Sequence, residues 1–471
     1  MNLVEAFLEQ VEARPDAAAI ITPAGRIVTY AQLARASAAR AHAYECSGID
    51  AGDVVLIARG VSVELYETLL AVFRLGAVAM FPEPAAGIKG LRLAVDAVQP
   101  KAMVTAGMGG LLRLAFPETR SLKLLPDPIG KEPPRDILVS QPGSSPALIT
   151  FTSGSTGRPK GIVRSADFLM LQHRLLENLR QTTPEDIDLI SLPVFILSNL
   201  AAGAASVIPD GRLTRPAKLK GANLRSQIEE HGVNRLVAPP AMVARIVESA
   251  EPMQRLAAAF TGGGPVFPNL LRATERAAPK AAIHAVYGST EAEPIAHLEL
   301  KEIAEADWTA MAEGKGLLAG RPIQEIEVEI RDHEVFVAGE HVNEGYLDPA
   351  DDASTKSRHD GKLWHRTGDA ARLDEQGRLW LLGRREAAAG GLFPFAVETA
   401  ALSWPGVRQA ALLAGDGKAK LALAGDSLDV AALQARGKKL GDFEVVELKS
   451  IPMDKRHNSK ADYARLRKLL A

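Results

Sequence analysis

Segments with the pattern of β-strands alternate with segments with the pattern of α-helices through most of the chain. The β-branched run VVLIAR (54–59) precedes VELYETLLAVFRLG (63–76), in which apolar residues recur at helical spacing, and RLVAPP (235–240) precedes AMVARIVESA. This order favours parallel strands, because a parallel connection needs a crossover that is usually helical. We therefore predict an α/β fold with mainly parallel sheets, in which ligands bind at the carboxyl ends of strands.

The pattern changes twice in the second half of the chain. EIEVEI and HEVFVAG, within 325–350, alternate polar and apolar residues, and RLDEQGRLWLLGRRE is typical of a hairpin that turns at Asp374–Gly377. These segments predict a small antiparallel, β-barrel-like subdomain. Because 471 residues exceed one ordinary core, we predict a large N-terminal domain over 1–385 and a small α+β C-terminal domain over 386–471.

Charge and composition restrict the function. The chain is 47% apolar and 24% charged, as globular proteins are, and its net charge of −2 creates no global field for nucleic acid or anionic membrane. Cys46 is the only cysteine, which fits a reducing compartment. The apolar stretch LPVFILSNLAAGAASVI carries Ser198 and Asn199 near its middle, so it predicts buried core rather than a membrane span. We expect a cytoplasmic protein without a nucleic-acid partner.

The stretch LITFTSGSTGRPKG (148–161) is dense in glycine and hydroxyl residues. It is not a Walker P-loop, because Pro159 stands where that motif has its second glycine and Lys160 is followed by Gly161 rather than by a hydroxyl residue. Glycines would still let backbone N–H groups turn toward an anion, and Lys160 would add a point charge. From these residues alone, a phosphate-binding loop and an ordinary surface loop both remain open.

Four motifs in order extend the comparison over nearly the whole chain. FTSGSTGRPKG closely resembles the signature loop of the adenylate-forming superfamily, which contains acyl- and aryl-CoA synthetases, peptide-synthetase adenylation domains and luciferases. YGSTE (287–291) resembles the adenine and Mg²⁺ motif of that family, WHRTGDAARLDEQGRLWLLGRRE (364–386) its ribose and hinge motifs, and PMDKRHNSK (452–460) its C-terminal lysine motif. The resemblance implies an AMP-forming ligase with ATP and Mg²⁺ as cofactors and with the C-terminal domain as a mobile lid.

The resemblance also assigns roles in nucleotide binding. Tyr287 would stack on adenine, Thr290 would donate to the α-phosphate and Glu291 would hold Mg²⁺, which prefers carboxylate and phosphate oxygens. Asp369 would accept the ribose hydroxyls with its two oxygens, and Arg384 would also reach the nucleotide. The remaining nucleotide-binding residues are Thr152, Ser153, Gly154, Ser155, Thr156, Gly157, Lys160, Gly263, Gly264, Gly288 and Ser289.

The C-terminal domain would carry the catalytic cation. Attack of a carboxylate on an α-phosphate brings two anions together, so the transition state needs a fixed positive charge between them. By resemblance this role falls to Lys460, delivered by closure of the lid about a hinge at Glu386. With Thr290 and Glu291, Lys460 completes the catalytic set that we predict.

The acid substrate would bind in the apolar segment that follows the phosphate loop. Phe195, Ile196, Ala201 and Gly203 offer walls without an acidic group that could hold an amine, so we expect a fatty or other hydrophobic carboxylic acid; the same residues also fit plain core. The acyl group would then pass to CoA or to a carrier protein. Alternatively, because 191–217 and RHNSK resemble the olefin-pathway β-lactone synthetases, the enzyme would close a β-hydroxy fatty acid on itself without CoA. A third reading is a non-catalytic acyl-nucleotide-binding protein.

Overall fold

The computed structural model describes residues 2–83, 86–107, 116–127, 135–152, 159–249, 251–415, 418–454 and 459–470. The chain divides into two compact units. The first contains Met1–Leu213, Gln227–Val233 and Asn343–Ser354; the second contains Thr214–Ser226, Asn234–Val342 and Thr355–Ala471.

The described helices and strands follow the predicted alternation. The helices are α1 Leu3–Ala13, α2 Tyr30–Cys46, α3 Val63–Arg74, α4 Gly87–Val98, α5 Ala166–Arg180, α6 Pro193–Ala202, α7 Gly221–Glu230, α8 Pro240–Ile246, α9 Pro268–Ala277, α10 Glu305–Ala312, α11 Pro394–Ala401, α12 Val430–Gly437 and α13 Tyr463–Leu470. The strands of the first unit are β1 Ala18–Ile21, β2 Ile27–Thr29, β3 Val54–Ala58, β4 Val78–Phe81, β5 Ala102–Thr105, β6 Lys123–Leu124, β7 Pro146–Thr152, β8 Lys160–Ser165, β9 Ile187–Ile190 and β10 Ala205–Val207. The strands of the second unit are β11 Arg235–Ala238, β12 Ala258–Gly262, β13 Ala282–Ser289, β14 Ala292–Glu299, β15 Leu317–Pro322, β16 Glu327–Arg331, β17 Glu334–Ala338, β18 Lys356–His359, β19 Lys362–Leu373, β20 Leu379–Arg384, β21 Val407–Leu413, β22 Ala419–Gly425 and β23 Phe443–Glu447.

In the first unit, a sheet with the order β6-β5-β3-β4-β7-β8 is parallel except for its last pair. A second set, β9-β10-β1-β2, is parallel up to β1 and closes with an antiparallel pair. Two helices of the first unit begin at reciprocal side-chain caps. Asn2 caps α1 and exchanges hydrogen bonds with Glu5, and Thr29 and Gln32 do the same for α2.

The second unit combines parallel and antiparallel pairing. Strands β11, β12 and β13 are parallel, and the order then runs β14-β15-β20-β19-β17-β16 with antiparallel neighbours. The predicted hairpin at Asp374–Gly377 joins β19 to β20, and Gly377 takes the left-handed φ of +72°. The antiparallel strands expected within 325–350 are present, but the change from parallel to antiparallel pairing already occurs at β14, Ala292–Glu299.

A small separate sheet, β21-β22-β23, follows in the C-terminal part. Trp404, Phe443 and neighbouring aliphatic residues form a core on one side of it, and Leu466 of α13 belongs to a second cluster. This α/β architecture with a small sheet domain agrees with the predicted fold class.

The apolar stretch between 192 and 208 forms α6 and β10. All of its helical positions from Phe195 to Ala201 are buried, as expected for a helix that is apolar on every face. Within the ranges that the structure describes, no helix combines the length and the apolar character needed to span a membrane.

Candidate active site

The hairpin between β13 and β14 displays one set of predicted site residues. Tyr287, Gly288 and Ser289 end β13, and Thr290 and Glu291 form the two-residue turn, since Ser289 pairs with Ala292. A side chain at Gly288 would lie 3.1 Å from the Ala292 carbonyl oxygen, so the tight hairpin explains this glycine. The Glu291 N–H donates to Ser289 Oγ at 3.3 Å, which ties the turn to the strand.

The hairpin between β19 and β20 brings Asp369 opposite Arg384. Arg384 Nε lies 3.3 Å from Asp369 Oδ1, and its Nη1 donates to the Thr367 carbonyl oxygen at 2.6 Å. The Tyr287 hydroxyl donates to Asp369 Oδ2 at 2.8 Å. Tyr287, Asp369 and Arg384, predicted from two separate motifs, therefore form one hydrogen-bonded and charged chain.

Two further predicted residues, Glu291 and Glu386, interact electrostatically with Arg384. The pKa of Arg384 is raised above its ordinary value, chiefly by the Asp369 carboxylate, with Tyr287, Glu291 and Glu386 contributing. Burial, aided by the Asp369 carboxylate, raises the pKa of the Tyr287 phenol well above its ordinary value, so this hydroxyl stays a donor at neutral pH. Because each Asp369 oxygen has two lone pairs, the carboxylate can accept further donors.

The predicted hinge is anchored through its neighbour. Glu386 lies in a short 3₁₀ turn, Arg385–Ala387. Arg385 Nη1 lies 3.0 Å from Oε2 of the buried Glu334, which also accepts from Arg366 Nη2 at 2.8 Å. One buried carboxylate thus joins the residue before Glu386 to strands β17 and β19.

The glycine-rich loop after β12 faces the lysine motif. A side chain at Gly263, whose φ is +76°, would meet nothing within 4 Å, whereas a side chain at Gly264 would collide with Ser459. Ser459 is buried, and the next residue, Lys460, is exposed. The C-terminal motif and the predicted adenine loop are therefore in direct contact.

The two ends of the predicted phosphate loop lie on neighbouring strands. Thr152 ends β7 and pairs with Lys160 at the start of β8. Lys160 is buried, with its Nζ 5.0 Å from the ring centre of Tyr346. A side chain at Gly161 would come within 2.5 Å of Leu347 Cδ1 and 3.1 Å of Phe151 Cε1, so an alanine there would displace the Leu347 side chain. The predicted residues Ser153, Gly154, Ser155, Thr156 and Gly157 lie outside the described residues.

The predicted acid-binding residues lie in and just after α6. Phe195, Ile196 and Ala201 are buried, and Gly203 ends the helix with a left-handed φ of +85°. Arg180 stacks over the Phe195 ring at 5.5 Å from its centre. Their role in acid binding stays a prediction.

Sequence reasoning missed three residues that support the site. Thr367 accepts from Arg384 through its carbonyl oxygen. Asp454 accepts from the backbone N–H groups of Ser459 and Lys460, both at 2.9 Å. Asp454 and Ser459 lie in the same nine-residue motif as Lys460, so an acidic residue six positions before the lysine was the available signal.

The donor set fits a hard divalent cation that is shared with phosphate. Glu291 supplies a carboxylate in a half-buried turn close enough to influence Arg384, and Mg²⁺ commonly binds one or two carboxylates together with substrate phosphates. No group of three or more His, Cys, Asp or Glu residues suited to a metal ion occurs in the described ranges.

Comparison with known proteins identifies the family. The AMP-binding enzyme family matches residues 7–347. The chain is 29% identical to an olefin β-lactone synthetase of Stenotrophomonas maltophilia, covering 98% of this chain and 96% of the relative, and 28% identical to that of Xanthomonas campestris pv. campestris, covering 88% and 84%. The fold matches the O-succinylbenzoate coenzyme A synthetase of Bacillus subtilis in complex with ATP and magnesium ion, with a TM-score of 0.78 at 20% identity over 96% and 97% of the two chains. The chain belongs to the AMP-binding enzyme family and is an adenylate-forming ligase.

Proposed function

We propose that the enzyme activates a hydrophobic β-hydroxy carboxylic acid with Mg·ATP and closes the acyl-adenylate to a β-lactone. The observation that carries this proposal is the similarity to two olefin β-lactone synthetases over 88% and 98% of the chain. Because of this similarity, we prefer β-lactone closure, which needs no external acyl acceptor, to transfer of the acyl group to CoA as the second step.

In the first step, a carboxylate oxygen of the acid attacks the α-phosphorus of ATP. The bond from this phosphorus to the oxygen that bridges it to the β-phosphorus breaks, and pyrophosphate leaves. In the second step, the β-hydroxyl oxygen of the substrate attacks the acyl carbon, the bond between this carbon and the phosphate oxygen breaks, and AMP and the hydroxyl proton are released. Each step exchanges one bond to oxygen for another.

The residues of the chain would hold the reacting groups. Asp369 would accept the ribose hydroxyls while Arg384 and Tyr287 fix its carboxylate, a geometry supported by the contacts of 3.3 and 2.8 Å. Lys460 would neutralise charge at the α-phosphate, which the contact between its neighbour Ser459 and the glycine loop supports.

The remaining residues would bind phosphate, magnesium and acid. Glu291 would hold Mg²⁺, which when bound offsets phosphate charge. Thr152, Lys160 and Thr290 would contact phosphate oxygens. We assign the apolar segment around Phe195 to the acid, since it contains no carboxylate that would pair with a substrate amine.

Transfer of the acyl group to CoA is the second candidate, favoured by the fold match to a coenzyme A synthetase. A pair of acids separates the two. The enzyme is incubated with ATP and Mg²⁺ and either a β-hydroxy fatty acid or the unsubstituted acid of equal length, with and without CoA, and products are identified by mass spectrometry.

We expect β-lactone and continuous AMP release from the β-hydroxy acid without CoA, and only ATP–pyrophosphate exchange from the unsubstituted acid. A CoA thioester formed from both acids, with AMP release that requires CoA, would establish the second candidate instead. If neither these acids nor shorter ones support exchange, the adenylation proposal itself fails for this substrate class.

A further inference from the structure

The Asp454 side chain holds the backbone of Ser459 and Lys460. Asp454 Oδ1 accepts from the N–H groups of both Ser459 and Lys460 at 2.9 Å, and the Asp454 N–H donates to the Lys460 carbonyl oxygen at 2.8 Å. Met453 and Ala461 form an isolated antiparallel bridge next to these bonds. Met453 and Asp454 are therefore fixed to residues 459–461, which we call the lysine segment, and Asp454 holds the backbone of Lys460.

The lysine segment contacts the glycine loop through Ser459, which lies against Gly264. A Cβ placed on Gly264 would lie 2.5 Å from Ser459 Cβ and 3.3 Å from Ser459 Oγ, and the next nearest atom, Pro240 Cδ, is an ordinary 3.8 Å away. Side-chain carbons do not approach within 3.0 Å, so either the segment or the loop would have to move. Ser459 is only 8% exposed, and rotation of its side chain would not relieve the clash, because the nearest atom is its Cβ.

The backbone at Gly264 does not itself require glycine. Its φ lies outside the left-handed region, unlike the φ of +76° at Gly263. An alanine at 264 would therefore be strained by its contact with Ser459 and not by its own conformation. Glycine is therefore needed at 264 for the space beside Ser459 and not for a left-handed φ.

We propose that the contact between Ser459 and Gly264 docks the lysine segment, which makes Ser459 and Asp454 positioning residues for Lys460. The inference deepens the proposed function and rests on it, because Lys460 is taken there as the catalytic cation. Asp454 fixes the backbone of Lys460 within the segment, and Ser459 fixes the segment against the nucleotide loop. The missing side chain at 264 therefore leaves the space that Ser459 occupies beside Lys460.

The test is a double-variant cycle of Gly264→Ala and Ser459→Gly, with Gly60→Ala as the matched control. Gly60 has no neighbour within 4 Å of an added Cβ and no left-handed φ, so its substitution controls for the change from glycine to alanine. Acid-dependent ATP–pyrophosphate exchange gives kcat and KM for ATP, and melting temperatures verify folding.

In the presence of Ser459, Gly264→Ala should lower kcat by about 10²-fold, since a displacement of about 1 Å at a catalytic group can cost that much, with less than about threefold change in KM for ATP. In the presence of Ser459→Gly, the same substitution should change kcat by less than about threefold, because the clashing Cβ is gone. Gly60→Ala should behave like the wild type.

Two results would overturn the inference: an unchanged kcat in Gly264→Ala, or a loss that persists in the double variant, which would assign the glycine to the nucleotide. If the wild type shows no ATP–pyrophosphate exchange with any acid, the proposed function fails, and docking is then judged by hydrogen–deuterium exchange of residues 459–470.

Docking is supported if these amides exchange faster in Gly264→Ala than in the wild type, but equally fast in the double variant and in Ser459→Gly. Equal amide exchange in the wild type, both single variants and the double variant overturns it.

Discussion

Glu398 is a buried carboxyl group whose ionisation should limit the stability of the C-terminal sheet. It lies on α11, is 3% exposed, and its Oε1 accepts from the Leu412 N–H at 2.8 Å and from the Tyr463 hydroxyl at 2.9 Å. Burial raises the pKa of Glu398 from 4.5 to about 7 despite these two hydrogen bonds. The perturbation is Glu398→Gln, which keeps an acceptor oxygen of the same shape and removes the charge.

Ionisation of Glu398 should make the folded state less stable as pH rises. Because the pKa of Glu398 is higher in the folded chain, the folded state holds the proton more tightly between pH 4.5 and 7, and stability falls as pH rises through this range. Each unit of difference in pKa between the folded and unfolded chain corresponds to about 1.4 kcal/mol, so the wild type loses about 3 kcal/mol above pH 7. The glutamine variant has no such loss.

The assay is hydrogen–deuterium exchange of β21 and β22, residues 407–425, in wild type and variant at the same pH. At pH 8 the variant amides should exchange about 10²-fold more slowly, and at pH 5 only about fourfold more slowly, because local opening free energies set these rates. Glu444→Gln, on the exposed side of β23, is the matched control and should give a ratio that is independent of pH. Equal ratios for Glu398→Gln at pH 5 and pH 8, or faster exchange of the variant at pH 8, would refute the reasoning.

Three further predictions concern the site and its support. Tyr287→Phe removes the donor to Asp369 Oδ2, and we expect a rise of about tenfold to 10²-fold in KM for ATP at nearly constant kcat of exchange, as for the loss of one hydrogen bond to a charged group; a changed kcat at constant KM would contradict this. Lys460→Ala should reduce acid-dependent exchange by about 10²-fold or more while calorimetric ATP binding stays within about threefold, and full activity would remove Lys460 from the mechanism. The buried Asp307 accepts from both Arg378 Nη atoms at 2.7 and 2.8 Å. Arg378→Leu removes this cation, so urea unfolding should show a free energy of unfolding lower by about 3–5 kcal/mol; a decrease below about 1 kcal/mol would show that Asp307 is solvated.

Local patterns predicted elements well where the hydrophobic period was strong. The helix expected over 63–76 is α3, Val63–Arg74, and the strand expected over 54–59 is β3, Val54–Ala58. The hairpin at Asp374–Gly377 was also found, since its turn residues and alternating flanks are neighbours in sequence. In each case the interaction that decides the structure spans few residues.

Buried charge escaped prediction. Glu398 and the ion pair of Arg180 with Asp188 lie fully inside the protein, but a charged residue in a helix or strand is normally assigned to the solvent face. Such a residue is buried only because distant segments supply its partners: Tyr463 for Glu398, and Asn199 for Arg180. These partners are visible only in the folded chain.

The sequence by itself determined the α/β class, the family motifs and the residues that carry charge and hydroxyl groups, because these depend on residue type and short-range spacing. The tertiary structure decided which of them touch. Tyr287 reaches Asp369 across 82 positions, and Ser459 meets Gly264 across an even longer separation. Such contacts depend on how strands and loops pair in three dimensions, and no local period in the sequence encodes that pairing.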